Sequence, residues 1–111
     1  MASVGKRVLD SARVVNATVS SDAIALENPF FEFVAYLKAE ATAGGTSIAV
    51  SIEHSPNGVD WFTVGSFTAV AGNGVQELQI TKWMFPQVRA HYVRTSGNST
   101  LTCELYFRSQ R

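Results

Sequence analysis

Apolar and polar residues alternate with a period of two over most of the chain, and no window of eleven or more residues has a convincing helical period. The clearest example is residues 52–67, where two alternating runs flank Pro56-Asn57-Gly58. Proline presets φ at the second position of a turn, and Asn and Gly tolerate the left-handed conformations that let two twisted strands meet. The pattern predicts a β-hairpin, with Phe62 and Val64 facing inward on its second strand.

The remaining segments also predict strands. One face of residues 30–41 carries the apolar side chains, and turns follow at residues 44–45 and 72–74. Residues 88–95 and 101–108 are joined by a Ser-Gly-Asn-Ser segment, which indicates a second hairpin. In total, seven or eight strands are expected. The positions predicted to face inward are Phe31, Phe33, Ala35, Leu37, Ala39, Ile48, Val50, Ile52, Leu78, Ile80, Leu101, Cys103, Leu105 and Phe107.

This spacing of strands and turns is typical of an all-β protein, a single antiparallel β-sandwich with jelly-roll character. The N-terminal residues fit the alternation less well, because short apolar pairs stand among small and basic residues. We therefore expect residues 1–19 to form an extended N-terminal arm and the first strand. Residues 20–111 are expected to form the β-sandwich domain.

Composition narrows the classes of function. Only 16% of the 111 residues are charged, against about 25% in an average protein, so Ser, Thr, Asn and Gly must supply much of the surface. Nine basic residues balance nine acidic ones, and no net charge draws the chain to nucleic acid or to anionic lipid. No apolar run approaches the roughly 20 residues of a membrane span. We expect neither nucleic acid nor membrane as a partner.

The residue types of catalysis and metal binding are scarce and poorly spaced. Cys103 is the single cysteine, and it alternates with apolar neighbours, which predicts a buried thiol. His54 and Ser55 are adjacent on a strand, so their side chains point to opposite faces and argue against a catalytic pair. No glycine-rich loop has the form that cradles phosphate. The chain is expected to be non-enzymatic, with no cofactor and no metal.

Two stretches resemble the jelly-roll modules of the discoidin type. The first contains His54-Ser55, Asn57-Gly58 and Trp61, and the second is residues 86–94, which end in Tyr-Val-Arg. This resemblance implies a jelly-roll sandwich and, as one function, carbohydrate binding by aromatic side chains that stack on a sugar ring. The candidate stacking residues are Tyr36, Trp61 and Tyr92.

The whole chain, from residues 2–7 through the hairpin to residues 105–108, resembles the small capsid decoration proteins of the epsilon-fifteen type of short-tailed phage. This resemblance implies a virion protein, made in the host cytoplasm, that binds the outer surface of the head. Its partners would be the major capsid protein and a second copy of itself, as a homodimer. Its function would be to staple neighbouring capsid subunits and so stabilise the shell.

The residues expected to make those contacts are basic or large and apolar. They are Lys6, Arg7 and Arg13 in the arm, and Trp83, Met84 and Phe85 in a predicted loop. Three large apolar residues are costly to expose, which suggests an interface, although a loop folded under the sandwich as part of the core explains them equally well. A third function stays open beside stapling and sugar binding, namely a trimeric tail or receptor-binding component, which would be present in a handful of copies per particle.

Overall fold

A computed structural model describes residues 4–26 and 30–109 of the chain. These residues contain nine β-strands and no helix. The strands are β1 Val4–Val15, β2 Val19–Ser20, β3 Ile24–Ala25, β4 Phe30–Glu40, β5 Ser47–Ser55, β6 Phe62–Ser66, β7 Gly74–Ile80, β8 Gln87–Ser96 and β9 Ser99–Ser109.

The strands form two antiparallel sheets that pack face to face. Sheet I has the order β1-β9-β4-β7, and sheet II has the order β2-β8-β5-β6, with β3 also pairing with β8. The apolar side chains of the two inner faces meet between the sheets and form one continuous core. The predicted all-β antiparallel sandwich is therefore confirmed.

The period of two identified most of the core correctly. The inward positions of β4, β5 and β9 are buried, whereas Leu78 is only partly covered and the side chain of Phe31 lies outside the described residues. Cys103 is fully buried, as expected, and burial, followed by the negative charges of Asp10 and Glu104, raises the pKa of its thiol to about 12. A thiol in this environment stays protonated and packs as a small apolar side chain.

The hairpin predicted at residues 52–67 is confirmed. Strand β5 pairs with β6, and His54 lies opposite Phe62. Ser55 Oγ accepts the Gly58 N–H at 2.8 Å, and Asn57 Oδ1 accepts the Asp60 N–H at 2.9 Å, so polar side chains satisfy the backbone of the turn. Phe62 was expected to face the core, but it is 52% exposed and lies against the rings of His54 and Phe85.

The second predicted hairpin is wrong. Strand β8 pairs with β5 in sheet II, whereas β9 lies between β1 and β4 in sheet I. Gly97 and Asn98 alone separate the two strands, and the chain crosses there from one sheet to the other. Alternation shows which face of a strand is buried but not which strand lies beside it. The two inward faces therefore meet across the core instead of pairing edge to edge.

The N-terminal region, expected to form an arm and the first strand, contains a strand that begins at Val4. Residues 4–15 form a twelve-residue edge strand that pairs with β9, from Val4 opposite Arg108 to Val15 opposite Ser99. Leu9 and Val15 are buried. The described part of the expected arm is thus a structural strand of sheet I, and residues 1–3 lie outside the described residues.

Candidate binding surfaces

Two of the three basic residues predicted to contact a capsid form hydrogen bonds within the chain. Arg7 Nη1 donates to the carbonyl oxygen of Ala25 at 2.8 Å, and Arg13 Nη1 donates to that of Ser20 at 3.3 Å. These bonds connect β1 of sheet I to the two short strands of sheet II. The Nζ of Lys6 lies 3.5 Å from a Glu104 carboxylate oxygen at the surface. Among the three, Lys6 is the one whose side chain is directed to solvent.

Tyr92 does not lie at the surface, which corrects its assignment as a sugar-stacking residue. It is fully buried, and its hydroxyl donates to Asp10 Oδ2 at 2.8 Å. Burial is the largest cause that raises its pKa above the ordinary value. The hydrogen bond joins the edge strand β1 to the central strand β8 across the core. Tyr92 therefore connects the two sheets and cannot stack on an external ring.

The other two candidate stacking residues lie apart from each other. The Arg89 guanidinium lies 4.2 Å from the centroid of the Trp61 ring, and Arg89 Nε binds Glu53 Oε1 at 2.8 Å. This stack covers one face of the indole. Tyr36 lies on β4 in the other sheet. The structure does not bring the three aromatic side chains together into one sugar site.

The loop of residues 83–85 contains both a core residue and an exposed residue, the two roles that the sequence left open. Met84 is buried and belongs to the core, whereas Trp83 is 73% exposed. Phe85 lies between these extremes. Met84 thus attaches the β7–β8 connection to the sandwich core, while its neighbour Trp83 lies in solvent.

Trp83 is part of a cluster that we call the aromatic patch: Phe62, Trp83, Phe85 and His54. The Phe85 ring is its centre, with centroid distances of 4.8 Å to His54, 5.1 Å to Trp83 and 6.3 Å to Phe62. The Phe85 N–H also donates to His54 Nδ1 at 2.9 Å, which fixes the loop to β5. Contacts of this kind hold the rings in a defined arrangement before any partner binds.

A cation stands beside the aromatic patch. Lys82 is exposed, and within residues 4–26 and 30–109 it makes no ion pair. Burial, and then the positive charge of Lys82, lower the pKa of His54. The patch therefore offers apolar rings and the positive charge of Lys82 to a partner.

Sequence reasoning found Trp83 and Phe85 but missed His54 and Phe62. The signal was present in the hairpin register, because a turn at residues 56–58 places His54 nearly opposite Phe62. What the sequence does not show is that the β7–β8 connection folds back to cover these two side chains.

The hydrogen bond from Phe85 to His54 predicts that the aromatic patch is sensitive to pH. Burial, and then the charge of Lys82, lower the pKa of His54 below 6.5. A lowered folded-state pKa contributes stability that is fully present above the unfolded value and is lost as the pH falls through the folded value. Protonation removes the acceptor at Nδ1, so acid should loosen the loop and shift the fluorescence of Trp83.

An Asn side chain can accept the same hydrogen bond without titrating. We therefore expect the tryptophan fluorescence of His54→Asn to change less than that of the wild-type protein between neutral and mildly acidic pH. His91 is present in both proteins and serves as the internal control. If the wild-type protein and His54→Asn showed the same pH profile of fluorescence, His54 would not be the group that makes the patch sensitive to pH.

A second surface is the outer face of sheet I. The strand register aligns its side chains in rows, one with Lys6, Tyr106, Val34 and Gln79, the next with Val8, Glu104, Tyr36 and Glu77, and a third with Thr102, Lys38 and Val75. Val8, Val75 and Tyr106 are three of the exposed large apolar residues of the described chain. This face is broad, only mildly charged and partly apolar.

Neither surface has the form of a small-molecule site. Depressions of about 200 Å³ beside Val34 and Arg108, and of about 230 Å³ beside the 69–74 loop, are smaller than typical ligand cavities. In the part of the chain that the structure describes, no three His, Cys, Asp or Glu side chains are close enough to hold a metal ion. The same residues include no helix long and apolar enough to span a membrane.

No family model and no curated protein matches the sequence. Solved structures do match the fold. The crystal structure of the SPBc2 prophage-derived protein YomS aligns with a TM-score of 0.60 and 9% identity, covering 98% of this chain and 96% of that one. The infectious bursal disease virus VP2 subviral particle aligns with a TM-score of 0.60 and 10% identity, covering 97% of this chain.

The structure of the Gx strain of infectious bursal disease virus aligns similarly, with a TM-score of 0.59 and 8% identity. This chain spans 32% of the length of both bursal disease virus chains but nearly all of YomS. At such low identities the likeness concerns the fold. The chain has the β-sandwich fold seen in a prophage-derived protein and in one part of a viral particle protein.

Proposed function

We propose that this protein is a structural component of a phage particle, which binds the outside of the head and staples neighbouring major capsid subunits. The observation that carries the proposal is the fold likeness over almost the whole chain to a prophage-derived protein, joined by the likeness to part of a VP2 subviral particle. The resemblance of the sequence to capsid decoration proteins leads to the same function.

The aromatic patch is the surface that we assign to capsid binding. Trp83 and Phe62 are both more than half exposed, and large aromatic side chains held in place at a surface are typical anchors of protein interfaces. Exposed apolar surface of this kind is unfavourable in water and is stabilised when a partner covers it. The neighbouring Lys82 favours a partner that carries a carboxylate. We therefore expect the aromatic patch to bind a surface of the major capsid subunit that is apolar and carries an acidic side chain.

Trp83→Ala is the variant that tests this assignment. A buried interface tryptophan typically contributes about 2 kcal/mol or more to binding, so Trp83→Ala should weaken attachment about 30-fold. The measurement is sedimentation of the purified protein with heads assembled without it, from the phage whose genome encodes this chain. Trp83 makes its ring contact with Phe85 at the surface, so the variant should melt close to the wild-type temperature.

Val59→Ala is the matched control, because Val59 is 77% exposed but lies outside the aromatic patch, in the β5–β6 turn. It should bind heads as tightly as the wild-type protein. Equal binding by Trp83→Ala and Val59→Ala would remove the patch from the interface. No binding by the intact protein would overturn the proposed function itself.

A further inference from the structure

The chain contains two Asn-Gly pairs, Asn57-Gly58 and Asn73-Gly74, and each is followed by a valine. In such a pair the backbone nitrogen of the glycine can attack the carboxamide carbon of the asparagine, because glycine has no side chain that hinders the approach. The new C–N bond closes a five-membered succinimide ring, the Cγ–Nδ2 bond breaks, and ammonia leaves with the proton of the glycine nitrogen. Water then opens the ring and gives aspartate or isoaspartate.

The β5–β6 turn holds the first pair in an arrangement that opposes this reaction. Asn57 Oδ1 accepts the N–H groups of Val59 and Asp60 at 2.8 and 2.9 Å, and Nδ2 donates to Asp60 Oδ2 at 2.9 Å. The attacking nitrogen, that of Gly58, donates to the hydroxyl of the fully buried Ser55 at 2.8 Å. Both reacting groups are therefore fixed by hydrogen bonds that have to break before the ring can close.

The second pair is much less constrained, and both of its residues are exposed. Within the described residues the Asn73 carboxamide makes one hydrogen bond, which Oδ1 accepts from the Thr42 N–H at 2.9 Å. Gly74 is the first residue of the edge strand β7, and the ends of elements open more readily than their middles. A Cβ atom at Gly74 would meet nothing within 4 Å, whereas one at Gly58 would lie 3.1 Å from Gln87 Oε1. The Asn73 carboxamide thus has the freedom and the space to turn toward the attacking nitrogen.

We propose that Asn73 is a site of spontaneous deamidation and that the β5–β6 turn protects Asn57 from the same reaction. The products add a negative charge to the β6–β7 connection, residues 67–73, which carries no charged side chain. Isoaspartate also inserts a Cβ atom into the main chain, beside the hydrogen bond that joins this connection to Thr42. The inference is independent of the proposed function, because neither a phage head nor any other partner takes part in the reaction.

The test uses the purified full-length chain, incubated at mildly alkaline pH, where the glycine nitrogen loses its proton more readily. Peptide mapping by mass spectrometry should show Asn73 converting to aspartate and isoaspartate at least about tenfold faster than Asn57, since the Asn57 carboxamide has more hydrogen bonds to break. Asn73→Gln is the matched control, because a glutamine has to close a less favourable six-membered ring. Its residue 73 should stay unchanged over the same time.

Two further samples show whether the fold causes the difference. In the wild-type chain unfolded in urea, the two asparagines should react at similar rates, because both stand before Gly-Val. In folded Ser55→Ala, which lacks the hydroxyl that holds the Gly58 nitrogen, Asn57 should react faster than in the wild-type protein. Equal rates at the two asparagines of the folded wild-type protein, or an equally large difference in urea, would overturn the proposal. An unchanged Asn57 in folded Ser55→Ala would contradict the protection assigned to the turn.

Discussion

Deletion of residues 2–13 should prevent the chain from folding. The deletion removes most of β1 and leaves one edge of β9 without its partner. It also removes Leu9 from the core and takes Asp10 away from the buried hydroxyl of Tyr92. Loss of a buried apolar side chain costs about 2–5 kcal/mol, and a buried unpaired hydroxyl about 1–3 kcal/mol more. Together these losses approach the total stability of a typical domain, about 5–15 kcal/mol.

Thermal unfolding followed by circular dichroism is the measurement, and the truncated chain should show no cooperative transition. Lys6→Ala is the control, because it removes one surface ion pair and should change stability by less than about 1 kcal/mol. A truncated chain that melts cooperatively near the intact temperature would show that β1 is dispensable. The N-terminal residues would then act as an attached arm after all.

Gly97→Ala should destabilise the fold by about 3 kcal/mol or more. Gly97 lies at the crossing between the two sheets, with φ at +73°. A Cβ atom there would lie 2.5 Å from the Thr46 Cα, a backbone atom that cannot move aside without distorting β5. The left-handed backbone and the lack of space therefore act in the same direction.

Gly72→Ala is the matched control, because a Cβ at Gly72 meets nothing within 4 Å. Denaturant unfolding should show a large loss of stability for Gly97→Ala and a change within about 0.5 kcal/mol for Gly72→Ala. If both variants were equally stable, the close approach of Gly97 to Thr46 at the crossing between the sheets would be contradicted.

The sequence predicted the fold class and one hairpin because both depend on local chemistry. The Pro56-Asn57-Gly58 turn is specified by the backbone preferences of its own residues, and the hydrogen bonds of Ser55 and Asn57 complete it. The buried faces of β4, β5 and β9 follow from alternation alone. None of these features requires knowledge of which strands are neighbours.

The sequence predicted an arm together with the first strand over residues 1–19, but it did not show that the strand already begins at Val4. The register of β1 with β9 shifts between Val8 and Asp10 and again between Asp10 and Arg13, and Ala12 has φ at 49°. Each irregularity interrupts the alternation of inward and outward side chains. A strand with two such interruptions does not show a period of two, so its sequence reads as an irregular arm.

The sequence indicated only two of the four residues of the aromatic patch. Trp83 and Phe85 are conspicuous in a loop, but Met84 between them is a core residue, and the sequence pattern does not distinguish these roles. The other half of the patch comes from β5 and β6, about twenty to thirty residues earlier in the chain. Their meeting depends on the path of the β7–β8 connection, a tertiary feature that local preferences do not determine.

Stapling is tested most directly by the temperature at which phage heads open. Heads assembled without this protein should be saturated with it and compared with bare heads in thermal opening, with occupancy measured on the same sample. Contacts that bridge two subunits oppose rupture at every site, so decorated heads should open at a higher temperature. Full occupancy with an unchanged opening temperature would contradict the account, since the protein would then bind the head without stapling it.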